Sequence, residues 1–254
     1  MVVELSVWAV IGIAIAVAAG ACLQRVSGMG LGLIGAPILT IIAGPVAGVL
    51  MVNALAFINS FLQTAAVRAD IEWGRLKVLV PALLVGSIPG AIIVSNASVS
   101  LLEVLIGAFV LLGLFISQRK AVQGTATGPV AASAAGFAGG FMSTVAGAAG
   151  PTFKAYAGFA GWNHRNFAAT LQPLFMVSSL FSVAVKELTT DGPLLSTIPW
   201  SVWSSGVVAL VIGVGIGNII AKKVSIAAAR RTAFIVALLG AAAALSGGLA
   251  GMIG

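Results

Sequence analysis

Apolar residues fill this chain in long runs broken by short polar steps. No charged residue interrupts 5–24, 46–67, 78–96, 121–153, 166–185, 192–221 or 232–254, and most of these runs exceed the roughly 18 to 20 apolar residues that a membrane-spanning helix needs. The pattern predicts helices at about 5–24, 46–67, 77–95 and 100–117, then at 129–145, 166–186, 200–221 and 228–250. Two further apolar segments, 31–43 and 150–160, follow glycine-rich stretches. As helix they would reach only about 16 to 20 Å of a hydrocarbon core about 30 Å thick. They are predicted to re-enter or half-span, with their non-helical backbone buried in protein or lining a cavity.

The elements occur twice. An offset of 118 residues places Gly150 on Gly32 and Lys186 on Arg68. Beyond them an offset of 127 superposes Trp200 on Trp73, Gly213 on Gly86, Gly217 on Gly90 and Gly240 on Gly113. One insertion of nine residues within 187–199 reconciles the two. The fold expected is an all-α polytopic membrane protein of two repeats, 1–120 and 121–254. Each repeat is a glycine-broken, re-entrant or half-spanning hairpin plus three transmembrane helices. An odd number of crossings per repeat inverts the second relative to the first.

Charge orients this arrangement. Only 7% of residues are charged and mean hydropathy is +1.15, whereas a soluble domain carries about 25% charged residues. With the N-terminus outside, ten of the thirteen basic residues fall in cytoplasmic loops, as the excess of Lys and Arg on that side requires. They are Arg68, Arg75, Lys77, Arg119, Lys120, Arg165, Lys222, Lys223, Arg230 and Arg231. Lys186 borders an outer loop, and both termini are expected outside a bacterial inner membrane. The net charge of +7 therefore orients helices and predicts no nucleic-acid partner. Residues 1–20 lack a basic flank and are expected to be the first helix, not a signal peptide. One Cys and one His exclude an internal disulfide and a metal site built from those residue types, and no cofactor is expected.

The remaining basic residues, Arg25 and Lys154, sit at the two breaks. The first break reads Ser27-Gly28-Met29-Gly30-Leu31-Gly32 with Pro37 beyond it; the second runs from Ser143 through Gly147 to Gly150-Pro151. A helix starting after such a break directs N–H groups and its positive dipole end into the gap, which favours an anion. Paired interrupted segments are a sequence pointer to a transporter's binding site. The candidate set at the breaks is Arg25, Ser27, Gly28 and Gly30 in the first, and Gly147, Gly150, Lys154 and Tyr156 in the second. Asn59 and Gln63, four apart on one helical face, and Thr170 and Gln172 on the matching helix are candidate neutral donors. Each has a plain alternative: Arg25 and Lys154 can snorkel to headgroups, the glycines can serve helix packing, and the neutral groups can bond between helices. Gly86 to Gly90 and Gly213 to Gly217 are expected to be close helix crossings. Trp73 and Trp200, which open matched helices, are expected at the membrane interface.

With these motifs in this order and duplicated, the chain from about Gly20 to Ser246 resembles the TauE/SafE sulfite-exporter family, also called toluene-sulfonate uptake permeases. The resemblance rests on 27–32 followed by Pro37, the basic loop 68–77 before Pro81, Gly86 to Gly90, and the degenerate second copy. It implies movement of a small anion, such as a sulfonate, sulfite or another organosulfur compound, across a bacterial membrane; the leading expectation is a secondary transporter working by alternating access between the two halves, with a proton or sodium as candidate coupling ion. The second break has Ala146 and Ala148 where glycine would be expected. An anion channel is the alternative. An intramembrane enzyme is a third reading, but neither Ser27 nor Ser143 has an evident base.

Overall fold

The long apolar runs become helices in the computed structural model, which describes residues 5–118, 128–189, 193–221 and 226–253. Helix α1 (Val7–Ser27) starts on Ser6, whose Oγ accepts the Ala9 N–H at 3.2 Å. A π-helical turn, Leu31–Gly35, leads into α2 (Ala36–Ala43). The first half continues through α3 (Pro45–Val67), α4 (Trp73–Asn96) and α5 (Val99–Gln118). The second half is α6 (Pro129–Ala146), α7 (Gly150–Phe159), α8 (His164–Thr189), the short α9 (Leu194–Thr197), α10 (Trp200–Ile220) and α11 (Ile226–Ile253). Among the described residues eight helices are long and apolar enough to cross a membrane, and neither α2 nor α7 is one of them. Arg119, Lys120, Lys222 and Lys223 lie outside the described residues.

Several expected boundaries move. Helix α4 begins at Trp73, so Arg75 and Lys77 lie within its first turns instead of before it; long basic side chains at a helix end can reach back to the interface. Helix α8 runs to Thr189, one turn past its expected end, which carries Lys186 inside the helix. Pro81 and Pro89 remain within α4 and Pro173 within α8, tolerated where neighbouring helices re-satisfy the freed carbonyls.

Small residues set the packing. Lipid tails are as apolar as leucine, so helix association in a membrane depends on close van der Waals approach more than on hydrophobic burial. The two predicted glycine pairs supply that approach. Gly86 faces the Phe137 carbonyl and Gly90 faces Thr144, so α4 lies parallel to α6; Gly136 reciprocates, with a Cβ there only 2.5 Å from the Leu79 carbonyl. Gly213 faces the Ala18 carbonyl and Gly217 faces Cys22 and Arg25, so α10 lies parallel to α1. The first helix of each half thus packs on a long helix of the other, α1 on α10 and α6 on α4. Helices α5 and α11 pair antiparallel through Gly107, Gly248 and Gly251. Helices α3 and α8, the most buried of the long spans, pair with each other at the centre. Val85, Ile92, Val208 and Ile212 are exposed apolar side chains on the outside of the bundle, as are Trp73 and Trp200.

Both short helices turn back along the helix before them. Ile42 of α2 reaches Gly12 of α1, and Thr152 of α7 reaches Met142 of α6. The α1–α2 hairpin therefore opens toward the face that carries Val7, Ala97 and Ile253. The α6–α7 hairpin opens toward the opposite face, which carries Asp70, Glu72 and Arg165. There Glu72 is a hub: its Oε2 pairs with Arg75 Nε at 2.6 Å and its Oε1 accepts from Trp162 Nε1 at 2.7 Å. The Arg75 guanidinium stacks 4.5 Å from the Trp162 ring, and Arg165 pairs with Asp70 at 2.8 Å.

Candidate functional site

The two breaks have the same local chemistry. Helix α1 ends at Gly28, in the left-handed region at φ 83°, its N–H bonded to the Gln24 carbonyl at 2.8 Å. Helix α6 ends at Gly147, at φ 65°, its N–H bonded to the Ser143 carbonyl at 3.0 Å. This left-handed cap is where glycine escapes the Cβ penalty. The caps lie 147 − 28 = 119 residues apart, one more than the glycine match suggested, so the difference from 127 becomes eight residues.

Beyond their caps the breaks touch. Gly32 abuts the Gly147 carbonyl with no room for a side chain, and a Cβ on Gly150 would lie 3.1 Å from the sulfur of Met29. Between them is a cavity of about 30 Å³, room for about two waters. Gly30 and Gly32 line it from one break, Gly147 and Gly150 from the other. Its polar walls are Gln24, Ser143, Ser178 and Ser179, all buried. The N-terminus of the ten-residue α7, at Gly150, opens onto it, placing the Gly150 N–H and the positive dipole end at the cavity wall. None of the residues lining it is ionisable.

A buried polar network holds the breaks to the central helices. Gln24 accepts the Leu31 N–H at 3.3 Å and donates to Ser60 and Gln172, each at 3.4 Å. Asn53 donates at 3.1 Å to the Ser143 carbonyl, the same atom that caps α6. Ser143 Oγ lies 3.4 Å from Ser178 Oγ and from Ser182 Oγ, and Ser182 meets Thr144 at 2.9 Å. Each half's third helix thus bonds the end of the other half's first helix.

Of the residues picked from sequence, the structure brings Gly30, Gly147 and Gly150 to the cavity and Gln172 to its Gln24 wall. Gly28 is the cap beside it, facing Ala168. The Ser27 side chain lies outside the described residues. Arg25 points away: it is exposed, and its Nε donates to Asn218 Oδ1 at 2.6 Å in the last turn of α10. Its four-bond reach to the bundle's edge follows from α1 continuing three residues past the expected end. Lys154 is half-buried on α7 and does not line the cavity. Tyr156 accepts from Arg75 at 3.3 Å, and Thr170 accepts the Glu72 N–H at 2.9 Å, so both belong to the Glu72 hub. Asn59 and Gln63 bond each other at 3.0 Å, buried and away from the cavity lining. Sequence reasoning missed Gln24, Ser178 and Ser179 as cavity walls; the signal available was that they fall one or two turns from a break or opposite one.

A family model described as Sulfite exporter TauE/SafE matches residues 12–252. The chain belongs to the TauE/SafE family. That places a sulfite or sulfur-compound exporter type of membrane transporter on this all-helical, multi-pass fold. No curated protein and no solved structure matches the chain. For a TauE/SafE transporter, a central cavity walled by neutral donors and a helix N-terminus is a setting in which an anion can be held without a buried counter-charge.

Proposed function

We propose that this TauE/SafE protein carries a small sulfur oxyanion, sulfite or the head of an organic sulfonate, through the cavity between the two breaks by alternating access. The observation that carries the reading is the meeting of both breaks at one cavity that four buried polar side chains line. Oxyanion oxygens accept hydrogen bonds, and Gln24, Ser143, Ser178, Ser179 and the Gly150 N–H at the start of α7 are donors. The binding set is therefore Gly30, Gly147 and Gly150 with those side chains. Arg25 fastens α1 to α10.

A four-heavy-atom anion needs more space than about two waters occupy, so the present arrangement is an occluded one and the breaks must part to load it. The reciprocal pairing of α1 with α10 and α6 with α4 supports two inverted repeats, 1–120 and 121–254, rocking about this seam. The Glu72 face, with its basic residues, is cytoplasmic in a bacterial inner membrane and both termini lie outside. A proton or sodium gradient provides the coupling. The test is flux in proteoliposomes of labelled sulfite, methanesulfonate, thiosulfate and acetate under imposed proton or sodium gradients. Saturable sulfur-oxyanion flux answering to one gradient is expected; flux of none of the sulfur anions, or acetate carried equally well, would overturn it.

A further inference from the structure

Lys186 lies one turn inside the end of α8, its side chain 0% exposed and its Nζ without a hydrogen-bond partner among the described residues. Burying an ammonium is unfavourable unless it is paired, and the described carboxylates are engaged or turned elsewhere. Glu187 accepts the Leu195 N–H at 2.7 Å, Asp70 and Glu72 hold Arg165 and Arg75 at the opposite face, and Glu103 on α5 faces Gly247 and Gly248 of α11. What does lie near is hydroxyl. Ser182, four residues earlier and so on the same face of α8, is paired with Thr144 and continues through Ser143 to Ser178 at the cavity. A line of hydroxyl groups therefore runs from the cavity to one turn below a cation that no described residue pairs.

We infer that Lys186, Ser182 and Thr144 form a second anion station, between the cavity and the Ala97 face, for a small oxyanion such as sulfite. The ammonium supplies the charge, and the Ser182 and Thr144 hydroxyls, whose single protons now go to a neighbouring hydroxyl or, from Thr144, to the Gly140 carbonyl, turn to the anion as directed donors when it binds. The inference rests on the transport reading for the anion's identity, but its geometry is independent of the cavity. An anionic-lipid phosphate offers the same oxyanion chemistry near a helix end, and the test separates the two sources.

The experiment is equilibrium binding of labelled sulfite to the full chain in nanodiscs of phosphatidylcholine alone, with melting temperature as a second readout. The parent is expected to bind two sulfites per chain. Lys186→Met should bind one and, in the absence of sulfite, melt at or above the parent temperature, because an unpaired buried cation has been replaced by an apolar chain of similar length. Ser182→Ala should weaken the Lys186-dependent site by about tenfold or less, consistent with loss of one hydrogen bond. If Lys186→Met binds as many sulfites as the parent with equal affinity, the station does not exist. Occupancy at Lys186 that appears only when phosphatidylglycerol is added, and that sulfite does not displace, would make it a lipid site and overturn the inference. Failure of the cavity reading looks different: Gln24→Leu would keep both sites while Lys186→Met lost one.

Discussion

Replacing Gln24 with leucine removes the side chain that ties the first break to the second half of the molecule. Three bonds vanish: those to the Leu31 N–H, Ser60 and Gln172. Interhelical side-chain bonds in membrane proteins average about 0.6 kcal/mol, so the two to Ser60 and Gln172 come to about 1 kcal/mol. The Leu31 N–H adds to this. It opens the helical turn after the break and has no carbonyl of its own helix to meet, and an orphaned buried donor costs about 1–3 kcal/mol. The loss expected is therefore about 2–4 kcal/mol, the lower end applying if the break relaxes. The assay is thermal melting of the purified protein in nanodiscs, paired with sulfite flux. Ser204→Ala, an exposed hydroxyl on α10 bonded only to its own helix, is the control and should stay within about 0.5 kcal/mol. A Gln24→Leu protein that melts with the control and moves sulfite at the parent rate would refute both the network's energetic role and its place at the cavity.

Gly32→Ala places a methyl against the Gly147 carbonyl and 3.3 Å from the Ala148 Cα, so it should cost about 1–3 kcal/mol by overpacking and slow flux. Gly74→Ala, where a methyl meets nothing within 4 Å, should instead gain about 0.5–1 kcal/mol in the same melts. Arg25→Gln should leave sulfite affinity within about threefold, about 0.7 kcal/mol, because its guanidinium faces Asn218 and not the cavity; a tenfold loss in equilibrium binding would return it to the site. Cysteines at Ala97 and Asn163, in a Cys22→Ser background, should label from opposite sides of the membrane, Ala97 from outside in intact cells. Labelling of Asn163 alone from outside would reverse the topology.

Which of these residues could be foreseen follows from how much of the signal is local. The helices were readable because charge-free runs of membrane length are set by lipid thickness, and the breaks because Gly28 and Gly147 both need a left-handed backbone. The seams at Gly86, Gly90, Gly213 and Gly217 were readable too, since two small residues four apart mark one face. The direction of Arg25 was not legible, because it depends on three more residues of helix and on an asparagine 193 positions away. Lys186 misled for a similar reason: a lysine near a helix end reads as a loop marker, and only the packing of α8 shows it enclosed. The serines of the cavity carry almost no sequence signal, since single hydroxyls are common in membrane helices and their convergence is a property of the assembled bundle.

The central claim is that substrate passes where the two breaks meet, so that they must separate in each cycle. A Cβ at position 150 would lie 3.5 Å from the Met29 Cβ, at the near edge of the range of about 3.5–4.5 Å that a disulfide bridges. The most direct measurement is sulfite flux through Met29→Cys with Gly150→Cys in a Cys22→Ser background, before oxidation, after it, and after reduction. The account predicts that oxidation stops flux and reduction restores it, with each single cysteine insensitive to both. A cross-linked protein that still moves sulfite at the reduced rate would contradict it.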